Sequence, residues 1–580
     1  MSKMKTLQGI GVSEGFAIGQ AVWLEETEQQ DCPETIAAGA EQEELERFEA
    51  ACAAVKAELD KQIETMTEKL GAKQAEIFTA HRMMLEDPTL VDAVTEMINN
   101  RQSAVFAVHK VTAEMAAMFA AMDNDYMRER AADITDIGRR LTRKLQGRDN
   151  DGAAAVSNGI VVAQDLLPSD TALLDKDKVL GFVTALGGKT SHTSILARAA
   201  GLPAVVGLGG QLDEISPRAT IILDGGAGLV LVDPDAATVA KYEKKLEDYQ
   251  RWRKLLAAVK ELPSQTADGR VVEIAANIGT PQEIAKVQNV NADGIGLFRT
   301  EFVFMGRTEL PTEEEQFEAY KQVLEGLPNK KVIFRTLDAG GDKELDYLGL
   351  PPEANPALGL RAVRLCFSRT DIFKTQLRAL LRASVYGNLH IMFPMISGLE
   401  EFRQAKSMLN QAREELTRQG IACKQKVPVG IMVEIPAAAV MADVLAQEVD
   451  FFSIGTNDLV QYTVAVDRMN EQVAYLSDYF HPAVLRLISR VIEASHNAGK
   501  WTGMCGEMAG DPLATVLLTG FGLDEFSMHA GAVLEVKNLI RRIKTDEAQA
   551  YAKEAMKLGT SAEIRAYLQQ IKQKYTVSED

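Results

Sequence analysis

Cysteine is scarce in this chain: five residues in 580, at Cys32, Cys52, Cys366, Cys423 and Cys505. They are scattered and odd in number, and no pair has the spacing of a metal site. A disulfide framework is excluded, and reduced thiols of a cytoplasmic protein are expected. The N-terminus, Met1-Ser2-Lys3-Met4-Lys5-Thr6, lacks the apolar core of a signal peptide. No apolar run is long enough to span a bilayer, so no membrane insertion is expected. Basic residues are also in deficit, 63 against 82 acidic, for a formal charge of −19. That argues against general binding of nucleic acid or anionic membrane, while leaving room for a local basic pocket that takes a small anion. A nucleotide P-loop is missing as well. Gly188-Lys189-Thr190 looks like the end of one, but the motif needs glycine five positions before Gly188, and Val183 stands there.

What is present centres on Gly187-Gly188-Lys189-Thr190-Ser191-His192-Thr193-Ser194. The apolar run Lys178–Thr184 predicts a buried strand before it. Ile195–Gly201 predicts a helix closed by glycine after it. His192 then lies at a helix start, where free backbone N–H groups favour an anion. Hydroxyls and Lys189 add donors and positive charge, and neutral imidazole is a usable nucleophile. These parts suit a histidine that carries a phosphoryl group. Read alone, a histidine in such a place is more often a cap or a packing residue.

Residues 7–24 are β-like and punctuated by glycine. From about 36 to 147 glycine nearly vanishes, and apolar residues recur at helical steps, as in Leu45, Phe48, Cys52, Val55, Leu59 and Ile63. About four helices are expected there. Most of their Met and Phe residues read as core, although Phe78, Met83 and Met84 could form an exposed apolar patch. Short strands return over 155–232, so the helices read as an insertion into one α/β domain. This gives residues 1–30 and 148–235 as an α/β subdomain, 31–147 as an inserted helical subdomain and 236–262 as a linker helix.

Over 263–580 eight apolar segments alternate with helical stretches, which predicts a (β/α)8 barrel. The segments are Val271–Ile278, Gly294–Phe304, Lys331–Leu337, Leu389–Met395, Val427–Val433, Val449–Ile454, Lys500–Cys505 and Glu525–Met528. In such a barrel the active site lies at the C-terminal strand ends, and here those ends carry chemistry. Arg299, Arg335, Arg468 and Lys343 suit carboxylate and phosphate oxygens. Glu434 and Asp458 are hard ligands for Mg²⁺. Gly455-Thr456-Asn457 offers N–H groups to a phosphate. Cys505 is a candidate acid or base. The implied ligand is a small anion with both carboxylate and phosphate.

Together these stretches closely resemble enzyme I of the bacterial sugar phosphotransferase system. The resemblance is carried by Gly187–Ser194, Gly296-Leu297-Phe298-Arg299-Thr300-Glu301-Phe302, Arg335–Lys343, Phe452–Leu459 and Thr502-Gly503-Met504-Cys505-Gly506-Glu507, and it covers nearly the whole chain. It implies that phosphoenolpyruvate binds the barrel with Mg²⁺, that His192 takes the phosphoryl group on Nε2, and that Cys505 protonates enolpyruvate to pyruvate. It further implies transfer to a histidine of the small carrier HPr, docked on the helical insertion around Phe78, His81, Met83 and Met84. Arg361 and Asn457 are expected on the substrate side, Thr171 orients the histidine, and the barrel forms a homodimer. His192 must serve two partners, so the resemblance implies a swivel on the linker. The chain departs from the family pattern at Glu14, Ala354, Ala357, Ile435 and Met469, none of which removes a functional group.

Two rivals remain at this point. A pyruvate–phosphate dikinase or phosphoenolpyruvate synthase would need an ATP-binding domain, and no nucleotide loop precedes the histidine stretch. A non-catalytic phosphoenolpyruvate sensor would not need His192, Glu434, Asp458 and Cys505 together.

Overall fold

Short apolar strands and long Ala/Glu/Lys-rich helices sort into separate layers, as their periods require. The computed structural model describes residues 4–24, 33–70, 72–121, 125–147, 159–166, 178–188, 191–340, 345–351, 353–470 and 472–575. The chain divides into two compact units, residues 1–252 and 253–580.

The first unit holds an eight-stranded mixed sheet. Its strands are β1 (Lys5–Gln8), β2 (Ile10–Ser13), β3 (Phe16–Trp23), β4 (Gly159–Ala163), β5 (Val179–Thr184), β6 (Ala204–Val206), β7 (Thr220–Asp224) and β8 (Leu229–Val232), in the order β1-β8-β7-β3-β4-β5-β6-β2. β3 and β4 are parallel neighbours, with Gln20 opposite Gly159 and Trp23 opposite Val162. Between them in sequence, among the described residues, lie five helices, α1 (Glu41–Leu70), α2 (Ala72–Leu85), α3 (Pro88–Asn99), α4 (Ala104–Ala120) and α5 (Asp125–Leu145), where the pattern predicts about four. The Asp87-Pro88 break is a helix start: Asp87 Oδ1 accepts from Thr89 N at 2.8 Å, and Pro88 occupies the position that needs no N–H partner.

The helical core contradicts part of the predicted apolar patch. Phe78 is 1% exposed and packs with Phe48, Val55 and Leu141 in the centre of the block. His81 is fully buried between two carboxylates of α5, with Nε2 3.0 Å from Asp133 and Nδ1 3.3 Å from Asp136. Burial opposes its protonation, but the two carboxylates win and hold its pKa above the ordinary value. Met84 leans on the core, and only Met83, 69% exposed, faces solvent. Phe78 and His81 therefore shape the surface from beneath rather than belonging to it. The reason is α5, whose apolar and acidic face covers α2 from afar in sequence, with Asp133 52 residues beyond His81.

α6 (His192–Ala200) follows β5, and α7 (Ala236–Val259) follows β8; the boundary between the two units falls within α7. The second unit is a closed parallel barrel of β9 (Glu273–Ile278), β10 (Gly294–Arg299), β11 (Lys331–Arg335), β12 (Asn388–Phe393), β13 (Val429–Val433), β14 (Phe451–Ile454), β15 (Trp501–Met504) and β16 (Glu525–Met528), with β16 pairing back to β9. All eight predicted strands are present. The second is shorter than read, because Glu301–Phe304 turns into a helix.

Leu297, Ile333, Met392, Met432 and Phe451, from successive strands, and Cys505, just past the end of β15, pack together as a plug in the barrel interior. Below it, at the strand starts, lies a charged floor. Lys331 Nζ meets Glu273 at 2.5 Å and the buried Glu525 at 2.6 Å, and sits 3.6 Å over the Trp501 ring. Trp501 stacks on Phe451 at 4.7 Å, and His390 meets both rings edge-on. Among the described residues no helix is long and apolar enough to cross a membrane.

Candidate active site

The parallel register delivers the predicted side chains to one end of the barrel. Arg299 pairs in register with Arg335, and Val433, Ile454 and Met504 stand side by side at the ends of their strands. Just beyond them opens a cavity of about 600 Å³. Arg299, Arg335, Glu434, Asn457, Asp458, Arg468 and Cys505 all line it.

Arg335 is held from two sides. One Nη contacts Glu301, and the other lies 3.1 Å from Asp338. These carboxylates keep the guanidinium charged against the cost of burial, which would otherwise lower its pKa. Asp338 also accepts from Arg361 Nη2 at 2.9 Å, and Arg361 Nη1 donates to the Tyr462 hydroxyl at 3.0 Å. Arg361 is 2% exposed and braces the wall from behind. Tyr462 in turn donates to the carbonyl of Ala357 at 2.5 Å, tying the 354–361 loop to the helix Thr456–Val464.

Glu434 is fully buried, and its Oε1 accepts from the Met395 amide at 2.6 Å. Met395 has φ of 55°, a left-handed backbone that turns its N–H toward the carboxylate. Burial, then the nearby Asp458 and Asp338, push the Glu434 carboxyl well above the ordinary range, against the pull of Arg335 and Arg361. Glu434 Oε2 and Asp458 Oδ1 have no hydrogen-bond partner among the described residues. Among the described residues Asp458 has longer ion contacts, 3.6 Å to Arg361 and 3.9 Å to Arg468. Two acidic oxygens without donors in a buried site fit a hard divalent cation. Among the described residues no third metal-type side chain joins them, so substrate and water oxygens would complete the shell.

The helix Thr456–Val464 begins directly after β14, which puts Asn457 and Asp458 in its first turn. Asn457 interlocks with the end of β15: its Nδ2 donates to Glu507 Oε1, and its Oδ1 accepts from Glu507 N, both at 3.3 Å. Gly506 permits this approach, because a Cβ there would strike the Thr456 hydroxyl. Cys505, 5% exposed, lies between these elements with its amide bound to Ile454 O at 3.1 Å. Burial pushes its thiol up to about 11, against Ser453, Arg335 and Arg299. It is a protonated acid at neutral pH.

In the first unit, His192 is the first residue of α6. The turn before it is built by Gly187, at φ 104°, and by serines: Ser194 Oγ donates to Gly188 O at 2.6 Å, and Ser191 Oγ caps the Ser194 amide. The His192 side chain lies outside what the structure describes, and so do Lys189, Thr190, Thr171 and Lys343. Sequence reasoning assigned no role to Glu301, Asp338, Tyr462 or the Met395 amide. Glu301 and Asp338 had a visible signal, carboxylates just beyond strand ends; Tyr462, inside the helix Thr456–Val464, and the Met395 amide had none.

Three family models match the chain in order. They are the PEP-utilising enzyme N-terminal domain over residues 8–130, the mobile domain over 156–228 and the PEP-binding domain over 253–545. These place the chain among the PEP-utilising enzymes. Curated relatives named phosphoenolpyruvate-protein phosphotransferase match nearly end to end. One from Bacillus sp. (strain S) is 50% identical over 97% of this chain and 98% of its own length. Another, from Geobacillus stearothermophilus, shows the same identity and coverage. The Bacillus subtilis (strain 168) relative is 48% identical over 98% of this chain and 100% of its own. The chain belongs to the phosphoenolpyruvate–protein phosphotransferase family.

Proposed function

We propose that this protein takes the phosphoryl group of phosphoenolpyruvate onto His192, releases pyruvate, and passes the phosphoryl group to a histidine of a carrier protein, HPr. The observation that carries this reading is the barrel mouth, where arginines, two donor-poor carboxylates and a protonated thiol share one cavity. Arg299, Arg335 and Arg468 hold the carboxylate and phosphate oxygens together with Asn457, Lys343 is assigned the same task by the family pattern, and Arg361 stiffens Arg335 through Asp338. Glu434 and Asp458 would hold Mg²⁺, which neutralises charge on the phosphate and enolate oxygens when bound.

Neutral His192 attacks phosphorus in line, aided by the α6 N-terminus and by Thr171. The P–O bond breaks, and its electron pair stays on the enolate oxygen. Arg299 and Arg335 then face the enolate, and Cys505 gives its proton to the terminal carbon. Reaching both phosphoenolpyruvate and the carrier requires the domain of residues 1–30 and 148–235 to move relative to 263–580, with 236–262 as the linker. The helical insertion, 31–147, presents Met83 to the carrier, and the barrel forms the dimer. A single-turnover assay of pyruvate release with Mg²⁺ and phosphoenolpyruvate tests this reading. Binding without release of pyruvate would overturn it in favour of a sensor.

A further inference from the structure

β9 reads Glu273-Ile274-Ala275-Ala276-Asn277-Ile278, an apolar strand broken by one amide near its C-terminal end. Asn277 Nδ2 donates to the Cys505 carbonyl at 3.0 Å and to the Ser527 carbonyl at 3.3 Å. Ser527 Oγ donates to Asn277 Oδ1 at 2.5 Å. These three bonds fix the amide's orientation: its oxygen end takes a hydroxyl proton, and its nitrogen end serves two carbonyls.

The bonds matter because of where the sheet stops. The ladder between β15 and β16 ends at Met504 opposite Phe526, one residue short of Cys505. The Cys505 amide is still tied to Ile454 of β14, but its carbonyl has left the ladder. Asn277, reaching across β16 from β9, supplies the missing bond. The peptide that carries the thiol is thus gripped on both sides, and the cavity of about 650 Å³ on the β9 side is lined by Asn277 and Cys505 together.

We infer that Asn277 is a positioning residue for carbon protonation: by holding the Cys505 carbonyl it aims the thiol at one face of the enolate. The inference rests on the reading of Cys505 as the proton donor. In that step the S–H bond breaks as the C3–H bond forms, the enolate oxygen becomes the pyruvate carbonyl, and the thiolate regains its proton from water. A thiol that swings off line slows this transfer and lets solvent deliver the proton to either face.

The test is a single turnover with enzyme in excess over phosphoenolpyruvate stereospecifically deuterated at C3, with Mg²⁺ in tritiated water. Asn277→Asp keeps the shape but turns a carboxylate toward two carbonyls. The expected result is a fall of about tenfold in the turnover constant, the size of one lost hydrogen bond expressed only in the transition state. Half-saturation by enzyme should stay within about twofold, since the arginine clamp is untouched, and the methyl chirality of the pyruvate should erode. Ser527→Ala, which removes only the bond that orients the amide, should move chirality and rate the same way by less, and it carries the test alone if Asn277→Asp does not fold. Full chirality in both variants, or a parallel loss of saturation and rate, overturns the inference. Full chirality in Cys505→Ala would instead sink the proton-donor reading beneath it.

Discussion

His390 offers a test of the barrel's charged floor. It is 9% exposed, faces the rings of Phe451 and Trp501, and its Nδ1 has no hydrogen-bond partner among the described residues. Burial, then the Lys331 ammonium, lower its pKa to about 4, although the Asn388 backbone, Glu273 and Asp450 pull the other way. The folded barrel therefore prefers neutral His390, while the unfolded chain protonates it near 6.5. The stabilisation is fully present above pH 6.5 and is lost as pH falls through 4. With a depression from 6.5 to about 4, the loss by pH 4 is about 3 kcal/mol at 1.36 kcal/mol per pH unit. His390→Phe keeps the ring and removes the titration. Urea unfolding of parent and variant at pH 7 and pH 4, followed by Trp501 fluorescence with Trp23 and Trp252 replaced by Phe, isolates the barrel signal. The parent should lose about 3 kcal/mol more than the variant between the two pH values. Equal losses would refute the argument and mean that the floor admits water or that Lys331 does not hold its place.

Three further variants test the site and the helical block. Glu434→Gln keeps the Met395 bond and removes the cost of neutralising a carboxylate on folding, so the metal-free protein should gain about 1–3 kcal/mol in unfolding experiments with chelator near neutral pH. The same variant should lose pyruvate release by roughly 10²-fold or more in Mg²⁺; a destabilised but active variant would contradict the metal assignment. Phe78→Ala should destabilise the helical block by about 3–5 kcal/mol, measured by its thermal unfolding. Met83→Ala should leave the stability of that block within about 0.5 kcal/mol of the parent and raise the KM for HPr; an unchanged KM would move the docking surface elsewhere.

The barrel was legible because each strand is a short apolar run bounded by polar or turn residues, and the candidate site residues sit where those runs end. The second strand was over-read because Glu301-Phe302-Val303-Phe304 is as apolar as the strand it follows, and only tertiary contact tells the two apart. Arg299, Arg335, Glu434 and Asp458 could be named because charged groups at strand ends are hard to explain as core, and Cys505 because it falls at the same end of its strand. Their partners were harder. Nothing local says that Asp338 joins two arginines, or that Met395 takes a left-handed turn to offer its amide. Phe78 and His81 show the opposite limit: α2 alone cannot show which of its faces α5 covers. Asn277 left a faint signal, one amide in an apolar strand, which becomes meaningful only when the β15–β16 ladder is seen to stop short of Cys505.

The central claim is that His192 carries the phosphoryl group delivered at the barrel mouth. The most direct measurement is incubation with ³²P-labelled phosphoenolpyruvate and Mg²⁺ for the parent and His192→Ala, with pyruvate assayed in parallel. Acid-labile, base-stable label on the parent, absent from the variant and matched by released pyruvate, is the predicted result. Label retained by His192→Ala, or none on the metal-replete parent, would contradict it.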